Sequence, residues 1–159
     1  PVIPSPSLPN HLSIRLYASL CLFEGTEISV GRGTDWPFQV VGFDDPVYGD
    51  FEFLPGEKTG MVKHVEGKGT TMYGLDLREL NPDEQKFTLK YVLDFYHKTP
   101  DKKRFFSRAD FFDKLAGTDQ LRQQIIAGKS EEEIRSSWQN DLTIYKKMRK
   151  KYLLYPNLV

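Results

Sequence analysis

The sequence predicts a segregated α+β domain: a small mixed or antiparallel sheet from the N-terminal half packed against three to four C-terminal helices. Two observations support this. Every segment with strand character precedes Leu80, whereas helix start and stop signals crowd the chain after it, so there is no βαβ alternation to build a parallel sheet. The 159 residues are 39% hydrophobic and 13% aromatic, enough for one aromatic-rich core and short for two.

Residues 1–10 carry Pro1, Pro4, Pro6 and Pro9 and read as an extended linker, because each proline lacks a donor and restricts its predecessor. Ile14–Phe23 is apolar and is expected as a strand or a buried segment. Phe38–Phe43 has the composition of a strand, as does Thr70–Leu77, in which Gly74 marks a bulge or a close backbone approach. Asp50–Leu54 alternates Phe51 and Phe53 with acidic residues and reads as a short strand; Met61–Val65 is another candidate.

Asn81-Pro82-Asp83-Glu84 is a helix start, with a cap, proline at the first position and acidic residues in the first turn. Phe87, Tyr91, Val92 and Phe95 fall on one face of that helix, and Pro100 follows its end. Ser107 is expected to cap a helix holding Phe111, Phe112 and Leu115 and closed by Gly117; Thr118 caps the next, which Gly128 stops. Ser130-Glu131-Glu132-Glu133 is a capping box opening a long helix. Its stripe of Ile134, Trp138, Leu142, Tyr145, Met148 and Tyr152 is expected to pack into the core, and its basic end (Lys146, Lys147, Arg149, Lys150, Lys151) suits the negative pole of a helix.

Charge and cysteine count narrow the function. Lys plus Arg equals Asp plus Glu at 22 each, without the basic excess of a nucleic-acid surface. The single cysteine, Cys21, excludes an internal disulfide and a Cys-rich metal site, and its apolar neighbours read as those of a buried hydrophobe. No apolar run approaches the roughly 20 residues needed for a membrane span. His11, His64 and His97 stand apart, with no second ligand at metal spacing, and no cofactor motif is present. The chain starts Pro-Val-Ile, without a methionine or a signal peptide, and reads either as a processed product or, the favoured reading, as a piece of a longer polypeptide.

The most informative stretch is Cys21–Phe38. Gly25, Gly31 and Gly33 alternate there with Glu24, Thr26, Ser29, Arg32, Thr34 and Asp35, between Leu22-Phe23 and Trp36-Phe38. Interior glycines cost a helix about 1 kcal/mol each and serve where the main chain needs positive φ or close approach. Such a loop either presents hydroxyls, N–H groups and a guanidinium to a polar ligand, or bonds those groups to one another. Gly31-Arg32-Gly33 lacks the rest of a phosphate loop. Glu24, Glu27 and Asp35 are near in sequence, but a glycosidase requires a specific separation across the sugar, which sequence proximity does not supply.

The run Cys21-Leu22-Phe23-Glu24-Gly25-Thr26, with Ser29, Gly31-Arg32-Gly33-Thr34 and Pro37-Phe38, resembles the C-terminal domain of NamZ-type exo-β-N-acetylmuramidases. Ser5-Pro6-Ser7-Leu8-Pro9, Tyr73-Gly74-Leu75-Asp76-Leu77, Phe112–Thr118 and Tyr152-Leu153-Leu154-Tyr155 extend the resemblance along the whole chain. Glu27, Val30 and Met72 depart from the family pattern, which favours Asn, an acidic residue and Cys there.

The resemblance implies a glycoside hydrolase that removes N-acetylmuramic acid from the non-reducing ends of peptidoglycan, in the cell envelope (periplasm) or secreted. It also implies an N-terminal Rossmann-like domain of the same polypeptide that carries the catalytic carboxylate. Residues 1–10 would then be the linker from that domain and residues 11–159 the single C-terminal domain. No catalytic residue maps onto this chain. Glu24, Thr26, Ser29, Arg32 and Thr34 are the residues expected to face a peptidoglycan-derived saccharide. Arg32 either pairs with the lactyl carboxylate of muramic acid or braces the loop through Glu24 or Asp35. The alternative is a non-catalytic carbohydrate-binding or structural interaction module.

Overall fold

The N-terminal apolar segment is a helix, not a strand: α1 (His11–Leu20) opens the domain in the computed structural model, which describes residues 4–58 and 65–155. Its start is a reciprocal cap. Asn10 Oδ1 accepts from the Ser13 N–H at 2.9 Å, and Ser13 Oγ accepts from the Asn10 N–H at 3.3 Å. Leu12, Leu16 and Leu20, four apart, then bury one stripe, a helical period that outweighs the segment's apolar look. Ahead of it, Ser5–Leu8 turns back on itself and Leu8 packs against the core.

Strands β1 (Val40–Phe43), β2 (Phe51–Phe53) and β3 (Met72–Asp76) form an antiparallel sheet in the order β1-β3-β2. Gly74 stands opposite Gly42 on one side and Phe51 on the other. A Cβ on Gly74 would lie 1.9 Å from the Val41 carbonyl oxygen, so of the two expectations for this glycine the close approach holds. The strand expected at Met61–Val65 lies, except for Val65, outside the described residues, as does His64.

The C-terminal half supplies α2 (Lys90–Lys98), α3 (Lys102–Phe105), α4 (Ala109–Ala116), α5 (Gln120–Ile126), α6 (Glu131–Ser137) and α7 (Gln139–Arg149). The class is the α+β arrangement expected, with more and shorter helices. The signal at Asn81-Pro82 is real but lasts one 3-10 turn (Pro82–Glu84); α2 starts later, where the Thr88 hydroxyl accepts from the Lys90 N–H. Phe87 therefore precedes the helix rather than sharing its face. Arg108, not Ser107, flanks the start of α4, whereas Gly117 ends it at φ 76°. The Ser130 box forms as expected. Glu131 ties it to α2, its carboxylate accepting from the Thr88 hydroxyl (2.8 Å), the Leu89 N–H (3.1 Å) and Arg135 Nε (2.7 Å).

The long C-terminal helix is where the structure corrects the sequence. It breaks at Trp138, whose N–H turns back to the Arg135 and Ser136 carbonyls. Ile134 is fully buried and Trp138 partly so, but Leu142, Tyr145, Met148 and Tyr152 are 38%, 53%, 47% and 67% exposed. The stripe is continuous in sequence, yet only its first turn reaches the core.

That core is aromatic. Phe23, Phe38, Phe95 and Phe112 are fully buried with Leu16, Leu20, Leu89 and Ile125. Phe23 meets Phe95 edge-on at 5.3 Å, and Tyr48 stacks on Phe95 at 5.1 Å. Lys102 Nζ closes the end of α2 by donating to the carbonyls of Tyr96, His97 and Thr99. Among the described residues no helix is long and apolar enough to cross a membrane.

Candidate functional site

The Gly-rich segment begins as a 3-10 turn, Cys21–Gly25, seated on α4: the Gly25 carbonyl accepts from the Arg108 N–H, and a Cβ on Gly25 would come within 2.5 Å of Phe112 Cβ. It then runs beside β1, exchanging two hydrogen bonds between Ser29 and Gly42 (2.8 and 3.0 Å). Gly31 and Gly33 adopt φ 76° and 83°, and the Gly33 carbonyl accepts from the Gly56 N–H. Non-glycine residues rarely take this conformation, so these two positions explain the glycines.

The hydroxyls expected to face a saccharide turn inward. Thr26 Oγ1 donates to the Phe23 carbonyl (2.7 Å) and accepts from the Ile28 N–H (3.1 Å). Ser29 Oγ accepts from the Gly31 N–H (3.3 Å). Thr34 Oγ1 donates to the Gly31 carbonyl (2.7 Å) and accepts from the Trp36 N–H (3.0 Å). All three residues are buried. They hold the shape of the turns, which is the internally bonded version of such a loop.

Glu24 and Arg32 come together instead. Arg32 Nη1 lies 2.9 Å from Glu24 Oε2, with side chains 19% and 15% exposed. Of the two braces considered for Arg32, the structure has Glu24; Asp35 pairs with Lys58. The Arg32 guanidinium sits 5.1 Å from the Phe38 ring, and its Nε is enclosed with no hydrogen-bond partner among the described residues. Phe38 is itself held at φ 57°, a left-handed conformation that costs a non-glycine residue roughly 1–3 kcal/mol. It keeps that conformation because its N–H donates to the Val30 carbonyl (2.7 Å), while Tyr17 packs edge-on against its ring at 5.0 Å.

Tyr17 and Cys21 complete the patch. Burial, then the Cys21 and Glu24 side chains, push the Tyr17 hydroxyl above its ordinary pKa, and Arg32 pulls it partly back. Burial, then Glu24, likewise push the Cys21 thiol up, which disfavours its thiolate form. Sequence spacing gave no sign of Tyr17 or Phe38 as partners of the pair; only the turn of α1 into the 3-10 segment brings Tyr17, Cys21 and Glu24 to one side.

On the loop's other flank lies a cleft of about 440 Å³ between Thr26, Glu27, Phe43 and Asp44 on one wall and Arg104 and Arg108 on the other. A second hollow of about 200 Å³, reaching Tyr48 and Thr99, shares Glu27, Phe43, Asp44 and Arg104 with it. Glu27 pairs with Arg104 at 3.1 Å and Glu66 with Arg108 at 2.6 Å. Glu24, Glu27 and Asp35, neighbours in sequence, are thus drawn to three different cations. Among the described residues no cluster of three or more His, Cys, Asp or Glu side chains is placed to hold a metal ion.

Comparison with known proteins places this architecture. The family model described as the C-terminal part of the exo-β-N-acetylmuramidase NamZ matches residues 15–155. The peptidoglycan β-N-acetylmuramidase NamZ of Bacillus subtilis is 33% identical over 167 aligned positions, which cover 97% of this chain and 40% of that protein. A crystal structure of a DUF1343 family protein from Bacteroides fragilis superposes with a TM-score of 0.89 at 41% identity, over 98% of this chain and 44% of that one. The chain therefore spans less than half the length of these relatives. With nearly the whole of its length matched in sequence and in fold, the chain belongs to the NamZ C-terminal domain family.

Proposed function

We propose that this chain is the substrate-facing C-terminal domain of a peptidoglycan exo-β-N-acetylmuramidase, acting on terminal N-acetylmuramic acid at non-reducing ends. The catalytic carboxylate comes from an N-terminal Rossmann-like domain of the same polypeptide, and the protein works in the cell envelope or outside the cell. The observation that carries the reading is the Glu24–Arg32 pair. Among the five loop residues expected at the sugar, these two keep side-chain surface (Arg32 19% and Glu24 15% exposed), while the three hydroxyls are buried and bonded to main-chain groups of the loop. Arg32 acts as a positioning residue: one nitrogen holds Glu24, another is enclosed, and the ring of Phe38 lies beside it. Glu24 keeps a second carboxylate oxygen with which to accept from sugar hydroxyls.

The test uses the full-length polypeptide, chromogenic glycosides of N-acetylmuramic acid and N-acetylglucosamine, and melting temperatures. The 159-residue chain alone should turn over neither glycoside; turnover by that chain, free of contaminating enzyme, overturns the division of labour. Arg32→Ala should lower kcat/KM for both sugars together by roughly 10- to 100-fold, the ~1.5–3 kcal/mol of a hydrogen bond to a charged group, and lower the melting temperature. A loss confined to N-acetylmuramic acid at unchanged melting temperature assigns the lactyl carboxylate to Arg32 instead. Loss of turnover in Glu27→Gln but not in Glu24→Gln moves the sugar to the neighbouring cleft. A polypeptide lacking any second domain returns the chain to the carbohydrate-binding or structural module.

A further inference from the structure

Beside the 3-10 turn that carries Glu24 runs an apolar groove of about 320 Å³, with Cys21, Leu22, Phe87, Leu115, Leu121 and Trp138 among its walls and no charged residue lining it. Trp138 is also the first member of the α7 stripe. Beyond it Leu142, Tyr145 and Met148 on that helix, and Tyr152, Leu154 and Tyr155 after its end, are all exposed, the last two at 90% and 81%. Large apolar side chains gathered on one exposed segment beside an apolar groove mark an interaction site. Its residue types, Trp, Tyr, Met and Leu, are those that fill the desolvated centre of interfaces rather than their rims. Lys146, Lys147, Lys150 and Lys151 crowd the end of the same segment, so it is amphipathic.

We infer that the groove and the α7 stripe form the seat of the preceding domain of the same polypeptide. This deepens the proposed function and rests on its premise that such a domain exists. Two observations favour this occupant. The arrangement of the whole chain recurs, at a TM-score of 0.89 over 98% of its length, in a chain of which it makes up 44%. The fold that carries this helix thus recurs in a chain more than half of which lies outside the matched region and could supply the cover. The groove also reaches Cys21, in the same 3-10 turn as Glu24. A domain seated there abuts the Glu24–Arg32 pair, so the docking surface and the proposed sugar contact share one edge.

The experiment compares thiol labelling at matched positions of the full-length polypeptide. Met148 and Val47 are 47% and 45% exposed within this domain, on different elements. Met148→Cys and Val47→Cys are made separately and labelled with a maleimide, with peptide-resolved mass spectrometry as the readout. Docking predicts labelling at position 148 at least tenfold slower than at position 47, independent of protein concentration. The double variant Leu142→Asp/Tyr145→Asp, its fold checked by circular dichroism, should remove that protection and speed labelling of Cys21. Equal rates at the two positions overturn the inference. Protection that rises with concentration alongside a dimeric mass also overturns it, by making a second copy the occupant. Turnover of the muramic acid glycoside is measured on the same samples. Equal labelling with full turnover sinks the docking face and leaves the function; protection without turnover does the reverse.

Discussion

The Gly-rich loop and the C-terminal helix form a pair of opposites. The loop is polar in sequence and buried in the fold: Thr26, Ser29 and Thr34 lie beneath the surface with their hydroxyls bonded to main-chain groups. The helix is amphipathic in sequence, yet its apolar side faces out from Leu142 to Tyr152. The two segments are governed by the same physics. A buried hydroxyl is tolerated where a turn leaves backbone groups to satisfy, and an exposed stripe is tolerated where a partner covers it. Composition tells which side of a segment is apolar. It does not tell whether the covering surface lies within the same domain.

The largest test of this contrast sets a core ring against the stripe. Phe23 is fully buried against Phe95, so Phe23→Ala should cost about 3–5 kcal/mol and lower the melting temperature on the order of 10 °C. Trp138→Ala, at a partly buried position where α6 breaks, should cost clearly less in this chain. An equal loss would mean that the stripe contributes to the core after all.

Next in size is the loop. Thr26→Val keeps the shape but leaves the Ile28 N–H without its partner and the Phe23 carbonyl with only the Thr26 N–H, a loss of about 1–3 kcal/mol by chemical denaturation. A stability unchanged by this substitution would free the hydroxyl from its structural duty and reopen it as a ligand contact.

The helix junctions give a smaller, pH-dependent effect. Burial alone would raise the Glu131 carboxyl, but bonds from Arg135, the Leu89 N–H and the Thr88 hydroxyl outweigh it and hold the group below its ordinary 4.5. The side-chain bond from Arg78 holds the Asp76 carboxyl below its ordinary 3.8. A carboxyl depressed in the folded state binds protons more readily when unfolded, so its contribution is complete above the ordinary value and is lost as pH falls through the folded one. Stability should therefore be level above about pH 5 and decline below it. Glu131→Gln should flatten part of that decline, and an unchanged acid limb would show that the α2–α6 tie contributes nothing.

Much of this architecture was legible in the sequence. The strands at Phe38–Phe43, Asp50–Leu54 and Thr70–Leu77 were found within a few residues, and the Ser130 box and the Gly117 stop fell where expected. Those signals are local, fixed by alternation, capping or positive φ. The first helix was missed because its cap is Asn10 with Ser13, a less familiar form of the box, and because three leucines at helical spacing also read as an apolar run. Of the site, the Glu24–Arg32 brace was foreseen as one of two pairings. Tyr17 and Phe38 beside it, and Arg104 across from Glu27, were not, since these depend on where distant elements pack.

The smallest expected effect is the most telling. Tyr145 is 53% exposed on a helix that buries none of its own residues. Tyr145→Ser removes apolar surface from water and leaves no cavity, so in the 159-residue chain it should change stability by no more than about 0.5 kcal/mol. Serine is a somewhat weaker helix former than the best residues, which accounts for a few tenths at most. The same substitution in the full-length polypeptide should cost more, because a tyrosine enclosed between two domains loses its contacts when truncated. Denaturation of both forms, with and without the substitution, isolates the contribution of the covering domain as the difference between two differences. A large loss already present in the 159-residue chain would mean that the helix folds back onto its own domain in solution, and the contrast between loop and helix would collapse.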